Sequence, residues 1–287
     1  MLGCLRSGAQ QELPKHASSF PDTAPQDLKV THGVLSTPDF VALYDEDVHD
    51  AAEYAGVTLL EEERSGYFAR QPRHAAAAFA GYGLNGDLSR EALKNTTSRE
   101  GELVEKRNVV AAYLTRSVLE VSCETKWTNR TCPLAWAQHV DYFRRDLGWP
   151  LQELKHYEDG GVAHWKEYQE EVKALVRDCV VREIQNNYVN SGDMNVTDVL
   201  MLGEKGGSRV FGSLVEGALK ELQTPTPRWY GLIEQGGIDT GEAAWKASEG
   251  AAQIAWRMLN GPSLDGDDYE CGIEQRRKLT NANGIRY

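Results

Sequence analysis

The sequence predicts an all-α fold: an irregular bundle of roughly seven to eight helices with an extended N-terminal arm and a polar C-terminal tail. Three observations predict it. Apolar residues recur at three- and four-residue steps over much of the chain. Several of these segments open on a capping residue and stop at Gly, as in Ser36–Gly56. Strand signals are scarce, with no convincing alternating run, no Asn-Gly hairpin between β-branched segments and no βαβ rhythm.

Residues 1–35 carry Pro14, Pro21 and Pro25 with scattered Ser, Thr and Gln, and read as a flexible arm. The helical domain is expected over residues 36–261. Its first helix starts at Ser36 or Thr37, with Pro38 in the first turn, and buries Phe40, Leu43, Tyr44, Val48, Ala51 and Ala55. "RHAAAAFAGYG" predicts a short Ala-rich helix suited to close packing. "TTSREGELVEKRNVVAAYLTRSVLEVSC" reads as a long helix with acidic residues in its first turn and a stripe through Leu103, Val110, Tyr113, Leu114, Ser117, Val118 and Val121. A further helix is expected over "PLAWAQHVDYFRRDLGWP", stopping at Gly148. Another covers "AHWKEYQEEVKALVRDCVVREIQNNYV", with Cys179 on its apolar side. Two more fit "SRVFGSLVEGALKELQ" and "TGEAAWKASEGAAQIAWRMLNG". A sub-division is expected near 186–208, where Asn and Gly accumulate, and 262–287 reads as a polar tail.

The apolar fraction of 41 % in 287 residues suits a chain that buries a core rather than a disordered one. With 31 basic and 43 acidic residues the net charge is −12, which repels phosphate backbones, so nucleic acid is not an expected partner. The sequence has no run of the length that a membrane span needs. An intracellular, soluble location is expected, in the cytosol or an organelle. The basic, Ser- and Ala-containing start is compatible with a processed targeting remnant, and Cys4 with acylation.

Five cysteines form an odd set without a CxxC, so zinc ribbons and dithiol redox motifs are not indicated. Cys123 and Cys132 flank "ETKWTNRT", a spacer that suits either a disulfide loop or two thiols. Sequons occur at Asn95, Asn129 and Asn195.

Chemistry is sought first in "ELKHYEDGGVAHWKEYQEE". Glu153 and His156 stand at i and i+3, the spacing with which carboxylate-bridged metal bundles present Glu and His from one helix face. Gly160-Gly161 reverses the chain and brings His164 to the start of the next helix. Glu153, His156 and His164 are therefore the metal-ligand candidates. Glu46 and His49 form a second Glu-x-x-His, although Asp45, Asp47 and Asp50 spread charge around that turn. A solvated charged hairpin explains the same residues without a metal. Neighbouring His-Asp at 49 and 50 leaves His32, His139 and Asp141 without an ordered role as further ligands. GxSxG, Walker A, GxGxxG and HExxH are not found. "LDGDDYE" gathers Asp265, Asp267, Asp268 and Glu270 without the EF-hand order of ligands.

Cys123, Cys132 and Cys271 are candidates for covalent attachment of a thioether-linked cofactor, such as a chromophore, although buried thiols are commonly core residues. Seven Trp residues occur. Trp127, Trp149 and Trp229 lie in loop-like contexts and are the candidate interface residues. No cofactor is favoured by the sequence. The expected function is a non-catalytic helical subunit or scaffold that binds protein partners within a larger assembly. A helical metal-dependent enzyme with Glu and His ligands and a carrier of a tightly bound cofactor are the alternatives.

Overall fold

A computed structural model describes residues 2–12, 29–36, 45–60, 74–84, 105–128, 136–149, 162–182, 195–232 and 242–260. It overturns the all-α expectation. Among the described residues six α-helices accompany seven strands in two sheets, so the architecture is mixed α and β.

The N-terminal residues form helix α1 (Leu2–Glu12), strand β1 (His32–Gly33), helix α2 (Asp45–Ala55) and strand β2 (Thr58–Leu59). The start of the segment read as an irregular arm is thus helical. β1 and β2 pair in parallel. Gly56 at φ 66° ends α2 as a left-handed cap, and the Val57 amide donates to Ala52 O at 2.9 Å.

Helix α3 (His74–Gly81) follows, as its alanines predict. The next two expected helices are instead a meander of strands β3 (Glu105–Leu114), β4 (Leu119–Thr128) and β5 (Trp136–Arg144), each antiparallel to the one before. Then come α4 (Val162–Val180), β6 (Asp198–Leu202), α5 (Arg209–Glu221), β7 (Arg228–Tyr230) and α6 (Glu242–Asn260). The main sheet has the order β5-β4-β3-β6-β7, with β6 parallel to β3 and β7 parallel to β6. β6 therefore runs through the segment proposed as a sub-division.

Two apolar layers explain why these segments are strands. Val110, Ala112 and Leu114 of β3, with Val199 and Met201 of β6, pack against Val172, Val176 and Val180 of α4 and Phe211, Val215 and Leu219 of α5. Val109 and Ala111, with Leu200 and Leu202, pack on the other side against α3 and α6. A strand buried on both faces carries an unbroken apolar run, which helical spacing fits equally well. The β3–β4 turn also lacks Gly and Asn. Thr115 organises it instead: its hydroxyl oxygen accepts the amides of Ser117 at 3.1 Å and Val118 at 3.2 Å.

α3 and α6 cross with almost no space between them. A Cβ on Gly250 would lie 1.6 Å from Ala77 O, and one on Gly81 would lie 2.0 Å from Lys246 O. Backbone thus meets backbone, and α3 is held close over the sheet.

Candidate functional site

β4 is the strand that departs from ordinary packing. Leu119, Val121 and Cys123 enter the core under α4. The alternate positions lie on the side of the sheet where Val109 and Ala111 meet α3, and there the residues are Glu120, Ser122 and Glu124, only 3 %, 2 % and 2 % exposed. An amphipathic strand normally turns such residues to water. Three consecutive same-face positions that are polar and buried form a lane of side-chain oxygens largely withdrawn from water, an arrangement that costs free energy unless it is compensated.

The register extends this lane sideways. Across β4–β5 the residues opposite Glu124, Ser122 and Glu120 are His139, Asp141 and Phe143. Across β3–β4 they are Val109, Ala111 and Tyr113. Pairing thus brings His139 and Asp141, unordered in the sequence, to the positions beside Glu124 and Ser122.

His74, at the start of α3, stands at one end of the lane. Its ring lies 4.5 Å from that of Tyr113, centroid to centroid. It is 9 % exposed, and among the described residues neither ring nitrogen has a hydrogen-bond partner. Burial lowers its pKa to about 4, so the imidazole is neutral at physiological pH. Burial also raises the Tyr113 hydroxyl, and the negative charges of Glu120 and Glu204 push it the same way.

At the other end Asp198 is fully buried among cations and hydroxyls. Arg228 reaches it at 2.9 Å and Arg107 at 3.4 Å; Thr197 donates at 2.6 Å and Tyr230 at 3.4 Å. This knot ties β3, β6 and β7 together and satisfies its own charge, which identifies it as structural. Arg107 also lies over the Phe79 ring at 6.0 Å.

The residues singled out in the sequence are dispersed. Glu153 and His156 fall outside the described residues, and His164 lies in the first turn of α4. Glu46 and His49 are exposed on α2. Cys132 and Cys271 fall outside the described residues, whereas Cys123 is bonded to Cys179, which occupies the sulfur considered for a thioether. Trp149 is buried in the core beneath α4, Trp229 on β7 is partly buried against that core, and Trp127 lies on β4 opposite Lys106. Among the described residues no three His, Cys, Asp or Glu side chains stand close enough to hold a metal ion by themselves, and no helix is long and apolar enough to cross a membrane. The polar lane lies on a segment whose apolar spacing predicts a helix and which is a strand in the structure. Its signal is the alternation in "LEVSCE".

No protein-family model matches the sequence, and neither does any curated protein.

Proposed function

We propose that this chain is a divalent-cation-dependent hydrolase of phosphate esters whose centre is the polar lane of β4. The observation that carries the reading is the burial of Glu120, Ser122 and Glu124 on one strand face, with His139 and Asp141 opposite in register. Carboxylate oxygens are hard donors. Mg²⁺ is commonly held through only one or two of them, its remaining positions being filled by water and substrate phosphate. A buried setting strengthens the attraction of such an ion and its polarisation of a phosphoryl oxygen. In this reading Glu124 supplies oxygens to the ion, and register places Asp141 on the neighbouring strand opposite Ser122. The test is calorimetric titration of the purified chain with Mg²⁺ and Mn²⁺, alongside hydrolysis of a simple phosphodiester. Saturable binding lost in Glu124→Gln, with metal-dependent turnover, is expected. Equal heats for the wild type and Glu124→Gln would sink the reading.

A second reading, a subunit that contacts protein partners, is favoured by two large exposed aromatics, Tyr54 at 95 % on α2 and Trp245 at 68 % on α6. Under it, the chain purifies with a fixed partner, and Trp245→Ala releases that partner while leaving cation binding intact.

A further inference from the structure

Cys123 stands between Ser122 and Glu124 on β4 but enters the opposite face of the sheet, into the core shared with α4. Its sulfur is bonded to that of Cys179, 56 residues further along, with the two Cα atoms 5.9 Å apart. Both residues are fully buried beside Val121, Val176 and Val180. The bridge therefore joins the strand that carries the polar lane to the helix behind it.

We propose that Cys123–Cys179 is a redox lock on the β4–α4 joint, set while the chain folds and screened afterwards. Closing it takes two electrons and two protons from two thiols. A small disulfide such as oxidised glutathione accepts them in two exchanges. One cysteine thiolate attacks the small disulfide, expels a glutathione thiolate that takes up a proton, and leaves a mixed disulfide. The second cysteine thiolate then attacks the protein sulfur of that mixed disulfide and expels the other glutathione. One disulfide is consumed, one is formed, and two thiols are released. Each exchange needs a sulfur that a small molecule can reach, and in the folded chain neither sulfur is exposed. Both exchanges therefore occur with α4 away from β4. Once α4 is seated, the state of the pair records the medium in which folding took place. This inference does not depend on the hydrolase reading, since it concerns the face of β4 opposite the lane.

The experiment folds the full chain in oxidised and in reduced glutathione buffers, then alkylates it in denaturant without reductant and weighs it. Among the described residues Cys123 and Cys179 are bridged, so residues 123 and 179 are expected to stay unlabelled in the oxidised form and both to be labelled in the reduced form. Peptide mapping is expected to join residue 123 to residue 179. The folded oxidised protein is expected to keep the bridge in dithiothreitol and to lose it once denaturant is added. The oxidised form is also expected to melt higher than the reduced form, by roughly 10 °C. Labels on residues 123 and 179 in the chain folded in oxidised buffer, a bridge from Cys123 to any other cysteine, or rapid reduction of the folded protein would each overturn the proposal. All of these readouts use the natural sequence, so none requires a variant to fold.

Discussion

Glu124 of β4 and Asp198 of β6 lie in one row of the main sheet, each paired in register with Val109 of the strand between them. Both are buried acids on the same side of the sheet, yet they belong to different kinds of site. Asp198 meets two guanidinium groups and two hydroxyls, whereas Glu124 continues a lane of polar residues toward β5.

Asp198→Asn removes the buried anion that Arg107 and Arg228 share. Loss of one member of a buried pair is strongly destabilising, here about 3 kcal/mol. Denaturant melts of the variant are expected to show a lower midpoint. Arg228→Lys, which replaces a half-exposed side chain, is expected to cost well under half of that.

Acid should destabilise the protein through His74. Its folded pKa is depressed from 6.5 to about 4, so between those values the unfolded chain binds the proton and the folded chain does not. Stability therefore falls as pH drops below 6.5 and levels off near 4, with a total loss of about 3 kcal/mol at about 1.4 kcal/mol per pKa unit. Urea melts across that range measure the slope. In His74→Leu this part of the slope is expected to vanish, and NMR titration of the wild-type imidazole gives the folded pKa directly.

Gly250→Ala decides between helix propensity and packing. Inside an exposed helix the exchange stabilises by about 1 kcal/mol. At residue 250 the new Cβ would lie 1.6 Å from Ala77 O, a backbone atom that cannot turn aside. Overpacking of this kind costs roughly 1–3 kcal/mol or more, so net destabilisation is expected. Because α3 must lift to make room, the His74 pKa is expected to move back toward its ordinary value in the same variant.

Thr115→Val keeps the shape of the side chain at the β3–β4 turn and removes the oxygen that accepts two backbone amides. The expected cost is about 1 kcal/mol, read by thermal or chemical melting. Thr115→Ser, which retains the acceptor, should recover most of it.

The helices were legible where one face alone is buried. Val172, Val176, Cys179 and Val180 on α4, and Phe211, Leu214, Val215 and Ala218 on α5, keep helical spacing because only that face meets the sheet. β3 carries no such asymmetry: Val109, Val110, Ala111 and Ala112 are all buried, so both periods describe the run equally well. β4 was different. Leu119, Val121 and Cys123 alternate with Glu120, Ser122 and Glu124, a strand signal masked by the apolar run before it and by a turn without Gly or Asn. The candidate site was legible only as residue types. His139 and Asp141 gain a place from pairing with β4, a non-local fact that no local spacing contains. The Cys123–Cys179 bond is likewise set by the docking of α4 on the sheet, not by the short spacer to Cys132.

The parallel pairing of β3 with β6 joins Val109 to Asp198, 89 positions later in the chain. During synthesis the meander can close as soon as its own residues emerge, but the far rim of β3 must wait for β6. Until then Val109–Tyr113 presents open amides and carbonyls along an apolar strand, a template for wrong neighbours. A nascent or truncated chain ending before Leu202 is expected to aggregate and to need chaperone cover until β6 and the helices α5 and α6 that cover the two faces of the sheet have followed.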